Sequence, residues 1–395
     1  MDKPTILMCH NFYSRPGGEN SVYEQQRRGL RSRGHRVVEL NRDNSTLTGA
    51  SSLKKASAMI GSYYSRATLR DVQAIIEREK PDLALVQNTF PLLSPSLYRA
   101  ISANRIPIIQ AVYNYRLVCA NAHLYTNGRI CERCVAGSHL HAVANRCYRG
   151  STLMSAWYAS ILKLHQSLDT FNKTIDRFMV PDRFAVSKLS GGGISPEKIR
   201  VNVNPFFVKD YSPSTTVGDY ALYVGRLNEQ KGVRTLVRAV SRAGGKSALV
   251  IAGDGPLRDD VEKAAEASGG KIRFVGPAWG DDLVRLMAAA RAVVVPSEWY
   301  DNLPLIICQA NAMAKPVIAS RINGIPEYVA AGVNGWLFET GDEVALGAAI
   351  DSLFAMEDRE LTRVGGSARE YAESVFDYAN HYDRLSSMFD ELTRI

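Results

Sequence analysis

Between positions 220 and 232 the sequence sets two cations a short turn apart. A strand-length apolar run, 220–224, leads into Gly225-Arg226-Leu227-Asn228-Glu229-Gln230-Lys231-Gly232, after which a helical pattern begins. Glycine lets a backbone turn tightly, and a helix starts with unpaired N–H groups and a partial positive charge. Arg226 and Lys231 beside such an end make the arrangement that a diphosphate requires. Taken alone, a structural loop with two solvated cations explains the turn more often.

Four further turns follow in order. They are Ala252-Gly253-Asp254-Gly255-Pro256, Phe274-Val275-Gly276, the run Pro296-Ser297-Glu298-Trp299-Tyr300-Asp301-Asn302-Leu303-Pro304-Leu305, and Ala314-Lys315-Pro316-Val317-Ile318-Ala319-Ser320. With Gly225-Arg226 and Lys231-Gly232 they make nearly the whole second half similar to the donor domain of family 4 glycosyltransferases. The resemblance implies that Arg226 and Lys231 neutralise a diphosphate leaving group, with Gly225 and Gly253 in the donor loops and no catalytic metal. An Asp-x-Asp pair in a comparable strand-end context, which a divalent ion would need, is missing. Asn302, Leu303, Pro304 and Leu305 are expected to open a helix whose free N–H groups face donor oxygens. The family carries two glutamates separated by seven residues, one at the donor sugar and one at the ribose; here those places hold Asp301 and Gln309. Gln309 keeps the hydrogen-bonding capacity but not the charge. A buried, hydrogen-bonded structural amide is the alternative for it.

The first half holds a second candidate loop. Residues 5–12 read as a strand and run into Tyr13-Ser14-Arg15-Pro16-Gly17-Gly18-Glu19-Asn20, then a helix. Gly17 and Gly18 suit close approach of a phosphate or sugar, and the resembled family places a glycine loop at this point. The stretch Val112-Tyr113-Asn114-Tyr115-Arg116 resembles a subgroup in which a histidine precedes Asn-Tyr-Arg; Tyr113 stands where that histidine would contact the donor sugar. A phenol can hydrogen-bond a hydroxyl but carries no charge near neutral pH. A packed strand-end tyrosine is an equal alternative.

Four of the six cysteines, Cys119, Cys131, Cys134 and Cys147, fall in one insertion of about 117–150. A Cys-x-x-Cys pair with two flanking cysteines is the spacing of a structural zinc site, with His123, His139 and His141 as further ligands; reduced, partly buried thiols are the alternative. Cys9 and Cys308 read as core.

These residues need a scaffold. Strand-length apolar runs alternate with amphipathic segments, the pattern of βαβ units in a parallel sheet. Strands are expected at 5–12, 36–41, 82–87, 106–112 and 177–180, and again at 221–224, 247–252, 272–275, 292–295, 317–319 and 336–338. Helices are expected at 233–242, 257–267, 281–289, 303–313 and 344–355. A polar Pro/Ser/Thr stretch at 208–219 reads as a linker. The organisation is α/β of the GT-B kind: two doubly wound Rossmann-like domains facing a central cleft, 1–208 on the acceptor side and 217–375 on the donor side. A terminal helix, 376–395, is expected to pack back on the first domain.

Charge divides the same way. Residues 1–210 hold 29 Lys and Arg against 15 Asp and Glu, while 211–395 hold 19 against 25. A basic first half suits an anionic membrane surface or a phosphorylated partner, and the segment 151–171, with Trp157 and Tyr158, is either a packing helix or a membrane-facing one. No nucleic-acid motif is present. No run approaches the roughly 20 apolar residues of a membrane span, and the start lacks a signal-peptide pattern, so the expected location is cytoplasmic, peripheral at the inner face of a membrane. The expected activity is retaining, metal-independent transfer of a sugar from a nucleotide-diphosphate sugar to a glycan or lipid-linked acceptor. A catalytically impaired nucleotide-sugar-binding protein, or a partner subunit of a glycosyltransferase complex, is the first alternative. A dinucleotide oxidoreductase is disfavoured, because the third glycine of its fingerprint is missing after Gly255.

Overall fold

A computed structural model describes residues 3–14, 17–243 and 247–393. Along the chain run β1 (Ile6–Phe12), α1 (Gly18–Ser32), β2 (Val37–Asp43), α2 (Ser52–Gly61), α3 (Arg66–Glu79), β3 (Leu83–Val86), α4 (Ser96–Ala103) and β4 (Ile108–Ala111). The cysteine-rich segment holds two short strands, β5 (Tyr125–Thr126) and β6 (Arg129–Ile130), and α5 (Leu140–Ala144). Then come α6 (Thr152–Ser167), α7 (Thr170–Thr174), β7 (Arg177–Val180), α8 (Arg183–Gly191) and β8 (Ile199–Val201). The second series is β9 (Ala221–Val224), α9 (Val233–Arg242), β10 (Leu249–Ala252), α10 (Arg258–Ala267), β11 (Ile272–Phe274), α11 (Gly280–Ala288), β12 (Ala292–Val295), α12 (Leu305–Ala312), β13 (Val317–Ser320), α13 (Ile325–Tyr328) and β14 (Gly335–Phe338). It closes with α14 (Glu343–Ala355), α15 (Asp358–Tyr371) and α16 (Tyr378–Thr393). β8 and α15 were not anticipated by the apolar pattern.

Contacts divide the chain into two compact units. The first comprises residues up to 126, 131–205 and the chain from 378; the second comprises 127–130 and 206–377. The stretch expected as a linker lies within the second unit, where the Ser214 hydroxyl donates to the Ala288 carbonyl at 2.9 Å.

Each unit is built on a six-stranded parallel sheet. The first has the order β2-β1-β3-β4-β7-β8 and the second β11-β10-β9-β12-β13-β14. The strands read as continuous apolar runs because both faces are covered: every residue of β3, β4, β10, β12 and β13 is buried. In both sheets the order reverses once, between β1 and β3 in the first and between β9 and β12 in the second. Loops leaving the carboxyl ends of strands on either side of such a reversal diverge, and a crevice opens there. The candidate loops follow β1, β9 and β12.

Within the first unit α16 is held closely. A Cβ on Gly29 of α1 would lie 1.9 Å from the Tyr378 ring, so only glycine permits that approach. His381 is buried, with Nδ1 2.6 Å from the Val203 carbonyl and Nε2 2.6 Å from the Gln26 side chain. Burial lowers its pKa from 6.5 to about 4. A neutral folded histidine with a lowered pKa leaves the unfolded chain to bind the proton first, so stability present above pH 6.5 is lost as the pH falls toward 4. The loss approaches about 3 kcal/mol. Urea unfolding followed from pH 7 to pH 4 should show this slope, to which the other buried histidines His10, His35, His139 and His165 add, and His381→Phe should reduce it; an equal slope in the variant would contradict the assignment.

Candidate functional site

In the second unit, glycine positions decide how closely the loops at the sheet reversal can approach. β9 ends at Val224, and Gly225 N–H donates to the Ala252 carbonyl at 3.1 Å while Leu227 N–H donates to the Asp254 carbonyl at 2.9 Å. A Cβ on Gly253 would lie 2.0 Å from the Gly225 carbonyl oxygen, and one on Gly255 2.4 Å from that of Leu227. Gly253, expected as a donor contact, is therefore required by the packing of its own loop against the Gly225 turn. The Tyr223 hydroxyl donates to the Arg226 carbonyl at 2.9 Å, which fixes the turn from inside.

The turn then tightens. The Asn228 side chain accepts from Lys231 N–H at 3.1 Å across a 3-10 turn, Glu229–Lys231. Gly232 follows in the left-handed region at φ 68°, and a Cβ there would lie 1.8 Å from the Pro296 carbonyl. That carbonyl belongs to the loop after β12. Glu298 N–H donates to the Gln230 carbonyl at 2.9 Å, and the Thr235 hydroxyl donates to the Glu298 carboxylate, so the two loops are pinned together.

This pinning joins the two residues expected to act. Lys231 Nζ forms an ion pair with the Asp301 carboxylate, which also accepts from the Ser297 hydroxyl at 3.1 Å. Asp301 is buried, and the Asn323 side-chain amide holds its carbonyl. Lys231 also lies 5.6 Å over the Trp299 ring. An ammonium has three N–H donors, so Lys231 can bond Asp301 and still offer donors to a ligand anion. Arg226 is exposed and has no side-chain partner among the described residues. One cation of the pair is thus held, and the other is open.

The expected phosphate-cradling helix start is shorter than anticipated. α12 begins at Leu305, because Leu303 adopts φ 35° and Pro304 takes the N-cap. Pro304 has no N–H to give, so the expected donor set of Asn302, Leu303, Pro304 and Leu305 loses one member. α12 has no side-chain cap and follows directly on the Asp301 loop. On the same helix Gln309 is half-buried and donates to the Tyr211 hydroxyl at 3.0 Å.

Ser297, Asn323, Glu298 and Thr235 are the supporting residues that sequence reasoning did not assign. Ser297 lies inside the quoted Pro-Ser turn, which was the available signal. The others act across more than 20 positions of chain.

The first unit carries its own site. Gly17 is the N-cap of α1, and a Cβ on Gly17 or Gly18 would meet nothing within 4 Å. The intervening Arg15 and Pro16 lie outside the described residues. Glu19, in the first turn of α1, accepts from the Tyr13 hydroxyl at 2.6 Å and from the Asn114 amide at 2.9 Å. A carboxylate already faces that helix end, which suits a neutral sugar hydroxyl better than a phosphate. A pocket of about 600 Å³, continuous with solvent, lies beyond the ends of β3 and β4 and is lined by Glu19, Gln87, Tyr113, Arg116, Phe90 and Tyr158 among others. Tyr113 Oη, Arg116 Nε and both side-chain polar atoms of Gln87 have no hydrogen-bond partner among the described residues. Burial raises the Tyr113 pKa, so the phenol stays protonated and available to a sugar hydroxyl.

The cysteines require a correction. Cys119, Cys131, Cys134 and Cys147 line one small cavity together with His141. Among the described residues, however, no group of three or more His, Cys, Asp and Glu is placed to hold a metal ion. The expected zinc set is not formed among the described residues, where Cys119 donates to the Asn121 side chain at 3.0 Å and Cys147 to the Thr126 hydroxyl at 3.7 Å. Burial raises the pKa of Cys119 and Cys147, and pushes that of Cys134 up to about 12.

Comparison with known proteins bears on the second unit most directly. Residues 218–356 match the family described as Glycosyl transferases group 1. The chain is 33% identical over 169 residues to an uncharacterized glycosyltransferase of Methanocaldococcus jannaschii, covering 40% of this chain and 43% of that protein. It is 36% identical over 134 residues to a lipopolysaccharide core biosynthesis glycosyltransferase of Rhizobium meliloti, covering 33% and 38%. The chain thus spans less than half the length of the curated relatives it matches. Among solved structures, Anabaena HepE in complex with UDP and glucose superposes with a TM-score of 0.70 at 17% identity, over 98% of this chain and 100% of that one. The sucrose-phosphate synthase of Thermosynechococcus elongatus gives 0.70 at 16%, over 99% of each. At such identity the likeness establishes the fold, which is GT-B.

Gly232→Ala should cost about 2 kcal/mol or more, since it adds both a strained φ and a clash with backbone. Thermal unfolding should fall by about 5 °C, whereas Gly17→Ala and Gly18→Ala should leave it unchanged. An unaltered midpoint for Gly232→Ala would show that the two loops do not approach this closely.

Proposed function

We propose that this protein moves a sugar from a nucleoside diphosphate to an acceptor hydroxyl, on the match of residues 218–356 to the group 1 glycosyl transferases and on the GT-B fold. The observation that carries the reading is the ion pair of Lys231 and Asp301 between the two loops at the sheet reversal, with the exposed Arg226 on the first of those loops. In this reading Arg226 and Lys231 stabilise charge that grows on the leaving diphosphate, the task a divalent ion performs in other transferases. Asp301 holds Lys231 and faces the donor sugar, and Gln309 with Tyr211 lies toward the ribose. UDP is the first nucleotide to test, as it is bound in structures that share the fold.

We take the family 4 resemblance to imply retention of configuration without a catalytic metal. The bond from the anomeric carbon to the diphosphate oxygen breaks and the bond to the acceptor oxygen forms on the same face. The acceptor proton passes to the departing phosphate. Positioning and charge stabilisation are then the protein's contribution. The first domain, with Tyr113, Arg116 and Gln87 around its pocket, would hold sugar hydroxyls of the acceptor. Its basic charge favours a lipid-linked or envelope glycan as acceptor, met from the cytoplasmic side of a membrane. The changes at Tyr113 and Gln309 favour one second reading, a nucleotide-sugar-binding subunit without turnover.

Steady-state kinetics decides between them. Lys231→Ala and Arg226→Ala should each lower kcat by about a hundredfold, an effect on the order of 3 kcal/mol, with unfolding midpoints retained. Gln309→Glu should be tolerated and should lower the donor KM. Unchanged turnover in both cation variants would remove the proposed site, and donor binding without any transfer or hydrolysis would favour the binding subunit.

A further inference from the structure

Two helices of the first unit carry apolar side chains that are exposed among the described residues, beside a half-buried Trp157 that packs on Phe90 and Tyr148. None of the ten residues of α2 is buried. Leu53, Ala56, Ser57 and Ile60 are exposed and recur at the spacing of a single helix face, with Leu53 84% and Ile60 73% exposed. On α6 and its C-cap, Leu153, Trp157, Ser160, Leu164 and Leu168 form a second stripe, in which Leu153 is 74% exposed. The two faces adjoin: Trp157 Nε1 donates to the Met59 carbonyl at 3.0 Å, and the Tyr63 and Ser160 hydroxyls bond at 2.5 Å.

Charge around these faces has one sign. Residues 44–70 and 133–168 contain no Asp or Glu, and each stretch carries four Lys or Arg, among them Lys54, Lys55 and Lys163. At the chain's average of one carboxylate in ten residues, about six would be expected. Exposed leucines and isoleucine flanked by lysine, with a tryptophan at the edge, fit the boundary between lipid headgroups and acyl chains. A partner protein of ordinary composition would meet this charge only with an acidic face of its own, whereas an anionic bilayer supplies both the apolar layer and the negative charge.

We infer that α2 and the outer stripe of α6 form a docking surface for an anionic lipid bilayer. A different face of α6, with Tyr158, Ile161 and Leu162, lines the first-unit pocket. Docking through α6 therefore brings that pocket next to the lipid. The inference rests on the lipid-linked acceptor proposed above and names the surface that would meet it.

The test is sedimentation of the full chain with vesicles of phosphatidylcholine alone or mixed with phosphatidylglycerol. The wild type should bind the anionic vesicles, weakly the neutral ones, and less as salt rises. L53E/I60E and K54E/K55E should each lower the partition coefficient by about tenfold or more, with thermal midpoint and UDP affinity unchanged because these side chains are exposed. Equal binding by wild type and variants, or no preference for anionic lipid, would overturn the surface. So would a dimer in light scattering that L53E/I60E dissociates, since a second copy would then cover these faces. Vesicle binding without sugar transfer supports the surface and counts against the transfer reading; transfer from donor to a water-soluble acceptor without vesicle binding does the reverse.

Discussion

The ion pair between Lys231 and Asp301 is the contact on which the donor-side geometry depends. It joins residues 70 positions apart, one on the loop after β9 and one on the loop after β12. A lysine ammonium is strongly hydrated and flexible, so a lysine left alone at a loop would sample many positions. Asp301, buried and held by Ser297 and Asn323, gives it one. The carboxylate also offsets the lysine charge while the site is empty of anion. An incoming diphosphate then meets a cation already in place, and little ordering remains to be done at binding.

That contact exists only because backbone approaches backbone around it. Gly232 admits the Pro296 carbonyl, Gly253 admits the Gly225 carbonyl, and Gly255 admits that of Leu227. A Cβ at any of these points would meet backbone, so the loops would have to shift apart. The glycines that sequence motifs present as ligand contacts are thus, in part, the means by which the loops come close enough to hold a ligand. Gly17 and Gly18 differ, since their surroundings are open and the chain itself does not demand glycine there.

Much of the sheet was legible because buried parallel strands leave a plain trace. Leu249–Ala252 and Ala292–Val295 are runs of small and branched apolar residues bounded by polar turns, and the chemistry follows their carboxyl ends. β8 was not legible, being three residues long with an exposed valine. Tertiary partners were hidden as well. Nothing local reveals that Gln309 would bond Tyr211 across 98 positions, or that Gln87 would stand unpartnered in a pocket walled by α6. The cysteines show the opposite failure. Their spacing fits zinc, but neighbouring oxygens at Asn121 and Thr126 take Cys119 and Cys147 individually. Spacing brings thiols near one another, and only the fold decides where each sulfur points.

The central claim is that Lys231 is a diphosphate-binding cation held in position by Asp301. Calorimetric titration of UDP into the wild type, Lys231→Ala, Asp301→Asn and the double variant tests it most directly. The account predicts that Lys231→Ala weakens UDP by about tenfold or more, in line with loss of a charged hydrogen bond. Asp301→Asn should weaken it as well, by less than Lys231→Ala, because the ammonium loses the partner that holds it in place, and in the Lys231→Ala background Asp301→Asn should not weaken it further. Equal weakening by Asp301→Asn and Lys231→Ala, or unaltered affinity in Lys231→Ala, would contradict the account.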